Sequence, residues 1–201
     1  AAPAWKEPGF VSEDMAYCPH KDGVDFLVVA GSGGEILRVA VPTGMAMSRS
    51  EIVSKQKGET FRVACADIDR DSENEPVIVG SRGTVAAFKM EDRIKTVWTK
   101  SYKRGAAGTS GLKDETSGIA LGDINGDGYP EIVFLGDNLV YALDRSGLPV
   151  PGFPVKISRG TPVTGFMSDP LLVDVTGDDI PQTLVPSSAG PVDAVTGQAS
   201  E

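Results

Sequence analysis

The stretch Gly122-Asp123-Ile124-Asn125-Gly126-Asp127-Gly128-Tyr129-Pro130-Glu131, followed by Ile132-Val133-Phe134-Leu135-Gly136, decides how the whole chain is read. Acidic and amide residues alternate with turn formers, and an apolar run begins directly after them. The pattern returns in Ala66-Asp67-Ile68-Asp69-Arg70-Asp71-Ser72-Glu73-Asn74-Glu75, followed by Val77-Ile78-Val79-Gly80. It appears again in Val173-Asp174-Val175-Thr176-Gly177-Asp178-Asp179-Ile180-Pro181-Gln182, followed by Thr183-Leu184-Val185. The leading aspartates Asp67, Asp123 and Asp174 stand 56 and 51 positions apart, and 49 positions before Asp67 lies Cys18, which opens a degenerate copy with its apolar run at 26–30.

Each copy continues into a second apolar strand, at 35–41, 84–90, 139–144 and 191–196, and the first three add a third, around 51–54, 96–102 and 153–157. A unit of about 50 residues built this way has the size of one propeller blade, a four-stranded sheet. The expected fold is therefore all-β, a β-propeller of four blade repeats at 16–64, 65–120, 121–171 and 172–201, forming one domain over 1–201. The fourth copy lacks an outer strand, which residues 1–15 can supply, since Pro8-Gly9-Phe10 echoes Pro151-Gly152-Phe153. With that strand four blades close a ring; without it they belong to a larger propeller, and the sequence leaves both arrangements open. Residues 103–118, rich in Gly, Thr and Ser, read as a loop between the second and third blades.

Composition agrees with this class. Twenty-four Gly and 14 Pro among 201 residues cut the chain into short pieces with no long helical stripe. A net charge of -9 opposes phosphate backbones, so no nucleic-acid partner is expected. The apolar runs fall far short of the ~20 residues that span a bilayer, so no membrane insertion is expected either.

The acidic turns carry the chemistry. Calcium takes 6 to 8 oxygen ligands, and a tight loop supplies them at alternate positions, the seventh through a main-chain carbonyl. Asp123, Asn125, Asp127, the carbonyl of Tyr129 and Glu131 fill that series, with Gly126 and Gly128 where the backbone must turn sharply. Asp67, Asp69, Asp71, the carbonyl of Glu73 and Glu75 form a second candidate loop, in which Arg70 and Ser72 replace the glycines. Asp174, Thr176, Asp178 and the carbonyl of Ile180 form a third, where Gln182 replaces the ninth-position carboxylate, so the weakest binding is expected there. In the first copy Cys18, His20 and Asp22 stand at the ligand positions and Phe26 at the ninth, a pattern unsuited to calcium. An EF-hand is excluded because its bidentate Glu belongs at position 12 on a helix, where this chain has Ile78, Phe134 and Val185 in β-rich runs.

With Val140-Tyr141-Ala142-Leu143-Asp144 following it, the 123–133 motif resembles the FG-GAP/VCBS repeat family, whose blades also build the integrin α-subunit headpiece. The resemblance implies a β-propeller with Ca2+ in hairpin loops, placed extracellularly, at the cell surface or in the periplasm. It implies a non-catalytic role in adhesion or recognition, with a protein or glycan partner, or with other chains or domains completing the propeller. The alternative is the non-catalytic part of an extracellular polysaccharide-acting enzyme. The missing Phe-Gly and Gly-Ala-Pro pair argues against integrin-like ligand binding.

Other constellations give way to simpler readings. Cys18-Pro19-His20 has the residues of a nucleophilic dyad but reads as an incidental turn. Cys65 lies in an apolar strand as an ordinary buried thiol, and a Cys18–Cys65 disulfide stays open because it needs Cα atoms within about 7 Å. Ala30-Gly31-Ser32-Gly33-Gly34 lacks the last glycine of a dinucleotide fingerprint and reads as a hairpin turn. Trp5, Trp98, Tyr102 and Phe153 are expected to pack between blades. No catalytic residue is assigned.

Overall fold

A computed structural model describes residues 9–20, 23, 25–41, 43–54, 56–102, 117–136, 139–156, 169–187 and 190–195. These residues form fifteen strands in four antiparallel sheets and no helix. The first sheet holds β1 (Ser12–Cys18), β2 (Phe26–Gly31), β3 (Ile36–Ala40) and β4 (Ala46–Arg49). The second holds β5 (Phe61–Ala66), β6 (Glu75–Gly80), β7 (Thr84–Met90) and β8 (Ile94–Ser101). β9 (Ile119–Gly122), β10 (Glu131–Gly136), β11 (Leu139–Leu143) and β12 (Val155–Lys156) make the third. The fourth contains β13 (Leu171–Val173), β14 (Gln182–Ser187) and β15 (Gly190–Val195). Strands pair in chain order, so each sheet is one blade of successive hairpins. In blades two to four the first strand runs ahead of the acidic turn.

The blades stack face to face through their first strands: β1 packs on β5, β5 on β9, and β9 on β13. Every residue of β6 and of β10 is buried. Successive side chains of a strand point to opposite faces, so a strand covered on both sides reads as an unbroken apolar run. Ile78 meets Phe26, Val28, Ile36 and Phe61 between blades one and two. Val77 and Val79 face the other way and meet Ile132, Phe134 and Leu143 between blades two and three. Val133, Leu135 and Val140 then meet Val185 between blades three and four. The result is a propeller-like array whose described strands do not close into a ring.

Three expectations are corrected. The third strand of the first copy lies at Ala46–Arg49, not at 51–54. A tight turn, with Gly44 at φ 65 and its N–H on the Ala40 carbonyl at 2.8 Å, returns the chain early. Phe10 packs against Val29, Leu37 and Val39 of blade one and lies under the Arg49 guanidinium, so it does not serve blade four. Trp5, with the rest of residues 1–8, lies outside the described residues, as do 103–116 of the expected loop. Cys65 is not a free thiol: it is disulfide-bonded to Cys18, with Cα atoms 5.5 Å apart. The bond joins β1 to β5, and its sulfur can no longer serve a Cys18–His20 dyad. The hairpin reading of 30–34 holds, since Gly34 N–H closes on the Gly31 carbonyl at 2.9 Å.

Hairpin ends are locked by buried carboxylates. Glu59, 1% exposed, accepts the N–H groups of Arg82 and Thr84, each at 3.1 Å, and the Thr84 hydroxyl at 2.9 Å. Trp98 donates to the Arg145 carbonyl at 2.8 Å and Tyr102 to that of Gly147, so the outer-strand aromatics fasten blade two to blade three.

Candidate metal centre

Each acidic turn joins the first strand of a blade to its second: β5 to β6, β9 to β10, and β13 to β14. The local sequence forces its shape. In the blade-three loop, Gly126 and Gly128 take φ 76 and 91, the left-handed region. In blade two the same two points fall on Arg70 at φ 60 and Ser72 at φ 71, and in blade four on Gly177 at 80 and Asp179 at 65. Three loops of different composition therefore adopt one backbone path. The path turns carboxylates inward against backbone N–H groups.

In the blade-three loop, Asp123 accepts from Gly126 N–H and Gly128 N–H, both at 2.7 Å. Asn125 Oδ1 accepts Asp127 N–H at 2.8 Å, and Asp127 Oδ1 accepts Tyr129 N–H at 2.8 Å. Glu131, 1% exposed, uses one oxygen to accept Ile124 N–H at 2.9 Å. Its other oxygen takes the Asn125 amide N–H at 3.0 Å, and the same amide reaches Asp127 Oδ2 at 3.3 Å. Burial pushes the Glu131 carboxyl up to about 7, with Asp127 and Asp123 adding to the rise and the Ile124 amide opposing it. A cleft of about 270 Å³ opens beside the loop, lined by Asp127, Tyr129, Glu131, Asp144, Arg145 and Ser146.

In the blade-two loop, one carboxylate oxygen from each of Asp67, Asp69 and Asp71 lies within 4.8 Å of the others. Asp67 accepts Asp71 N–H at 3.0 Å and Ser72 N–H at 2.9 Å, and Glu73 N–H donates to Asp71 at 2.9 Å. Glu75, 2% exposed, accepts Ile68 N–H at 3.0 Å. Its carboxyl is raised to about 7 by burial first and then by the charge of Asp69. The blade-four loop differs most. Asp174 accepts N–H groups from Thr176, Gly177 and Asp179, bonds that hold its carboxyl below the usual range. Asp178 accepts Ile180 N–H at 3.1 Å. Gln182 takes Val175 N–H on its oxygen, while its amide nitrogen donates to the Ile180 carbonyl at 2.6 Å and to Thr176 Oγ1 at 3.3 Å. Two of the expected ligand atoms of that loop, Thr176 Oγ1 and the Ile180 carbonyl, thus face the Gln182 amide nitrogen.

The ninth position therefore does a second job that spacing alone did not reveal. In all three loops it ties the turn shut through the N–H of the second residue, whether the side chain is a carboxylate or an amide. The second residues Ile68 and Ile124 are 2% and 7% exposed and plug the next inter-blade core, whereas Val175 on the last blade is 56% exposed. An apolar residue at that place in all three acidic turns was the available signal. Arg145, with its guanidinium 3.9 Å from the Tyr129 ring centre, and Arg70 at 5.9 Å were also missed, because they reach the blade-three loop from other turns.

No protein-family model matches the chain, and no curated protein matches it. Among solved structures it resembles BamB from Moraxella catarrhalis, with 16% identity and a TM-score of 0.61, over 96% of this chain and 53% of that one. It also resembles the V. cholerae biofilm matrix protein Bap1, with 20% identity and a TM-score of 0.50, over 91% of this chain and 30% of that one. The chain thus spans about half of the first structure's length and less than a third of the second's. These likenesses speak to the fold, and with the four stacked sheets they make the chain a propeller-like, all-β blade array.

Proposed function

We propose that the chain is a calcium-binding, non-catalytic propeller module of the FG-GAP/VCBS type, acting outside the cytoplasm as a scaffold for a protein or glycan partner. The observation that carries this reading is the blade-three loop. On a glycine-formed turn, Asp127 and Glu131 there share the neutral amide of Asn125, and the charges of Asp127 and Asp123 add to the rise of the buried Glu131 carboxyl. A pair of like charges 4 Å apart costs up to about 4 kcal/mol at an effective dielectric of 20, a repulsion that an amide cannot cancel and a divalent cation removes. The oxygen-rich, all-hard donor set suits calcium. The cleft beside the loop leaves one side accessible, so a bound ion could accept an oxygen from a partner's carboxylate or sugar hydroxyl.

Location is supported by the disulfide, since such bonds persist in oxidising compartments, and by the likeness to a biofilm matrix protein. Millimolar calcium outside cells also fills weak loops of this kind.

Thermal unfolding tests the reading. EDTA-treated protein is expected to melt several degrees higher in about 2 mM calcium, a concentration above the ~10⁻³ M weak-site range, because a ligand of the folded state alone stabilises it. Asp127→Ala is expected to reduce that rise by more than half. Equal melting temperatures with and without calcium would sink the proposal.

A further inference from the structure

We infer that Lys89 is the resident cation of the blade-two loop, so that this acidic turn, unlike the one in blade three, closes without metal. The inference rests on the calcium reading of the blade-three loop for its contrast. Lys89 lies near the end of β7, and its ammonium sits 3.0 Å from Asp69 Oδ2 and pairs with Asp71 as well. These are two of the three aspartates whose oxygens gather within 4.8 Å. The ammonium therefore stands beside the carboxylates that a calcium ion would bridge. It presents three N–H donors and one positive charge, which the Asn125 amide of blade three does not carry.

The sheet registers show that this is particular to blade two. Val77 pairs with Ala87 and Val133 with Ala142, so Lys89 and Asp144 occupy matching places two residues further on. Asp144 turns away to accept the N–H groups of Ser146 and Leu148 at 2.8 and 2.9 Å, and it lines the blade-three cleft. One blade thus sets an ammonium at this place and the next a carboxylate. The same contrast explains how Arg70 and Ser72 can stand at left-handed positions in blade two: the turn is anchored by a covalently attached cation from the neighbouring strand, whatever the metal supply.

Calcium titration calorimetry and melting of EDTA-treated protein test the inference on the full chain. Wild type is expected to lose calcium uptake with Asp127→Ala and to keep it with Asp71→Asn. Lys89→Met is expected to lower the metal-free melting temperature by roughly 2 to 4 °C, to gain one calcium site, and to recover in calcium, also in the Asp127→Ala background. Lys89→Arg, which keeps the charge, should behave as wild type. Loss of a wild-type site through Asp71→Asn would overturn the inference. So would an unchanged metal-free melting temperature in Lys89→Met, or a fall that calcium does not reverse. A wild type indifferent to calcium would instead count against the blade-three reading, while the metal-free comparison of Lys89→Met with Lys89→Arg still decides the role of the ammonium.

Discussion

Glu75 and Glu131 show how one side chain can serve the turn and oppose it at once. Each is nearly fully buried, ties its loop through a backbone N–H, and is held as a carboxyl up to about 7. Burial disfavours the charged form, so the folded-state value lies above the ordinary one near 4.5. A value raised on folding gives stability that is complete below the unfolded value and lost as pH rises through the folded one. Metal-free protein is therefore expected to melt at a higher temperature at pH 5 than at pH 8, and calcium should reduce that slope by favouring the Glu131 carboxylate. Melting curves across this range in EDTA and in calcium check it. A metal-free protein that gains stability from pH 5 to 8 would contradict the burial argument. The place of these residues at the ninth position of each acidic turn was legible from the alternate spacing in sequence. Lys89 was not, because its partners Asp69 and Asp71 lie 18 to 20 residues away and meet it only through the β6–β7 register.

At the scale of the element, the acidic turn is also a plug. Ile68 and Ile124 leave their turns to fill the core against the next blade, and Val175 occupies the same place where no described blade follows. Ile124→Ala is accordingly expected to cost about 2 to 4 kcal/mol, as burial-to-cavity substitutions do, while Val175→Ala stays within about 0.5 kcal/mol. Urea unfolding of the two variants separates the cases, and equal losses would mean that the exposed valine is covered after all. Strand identity was readable wherever a blade's second and third strands carry continuous apolar runs, as at Val77, Ile78 and Val79. It failed for β4, the fourth strand of the first blade. There Met45, Met47 and Arg49 are exposed, so no burial pattern marks the element and only the Gly44 turn sets its start.

Across the whole molecule, small residues explain how the stack is spaced. Ala64, Ala66, Ala120 and Gly122 line the first strands of blades two and three, and small side chains let neighbouring sheets approach. The corresponding places on blade four hold Leu171 and Val173, 59% and 36% exposed, in line with Val175. Blade four therefore shows solvent a strip of larger apolar residues where its predecessors show small ones. The repeat spacing gave the number of blades and their order in sequence. It could not give the packing partner of Phe10, since Phe10 meets Val29, Leu37 and Val39 of blade one through contacts distant in sequence, which no motif encodes.

The Cys18–Cys65 bond has a mechanical side. By limiting the unfolded chain it stabilises the fold by about 4 kcal/mol in the chain-entropy view, but it also changes how the protein yields to force. The cysteines stand 47 residues apart, and most of blade one lies between them. A chain pulled from its ends cannot pay out that segment while the bond is intact. At the ~3.4 Å that each extended residue spans, reduction should release an additional ~160 Å of contour length. Single-molecule stretching with and without a reductant should show that difference as a discrete step, because the oxidised first blade is a link of fixed length.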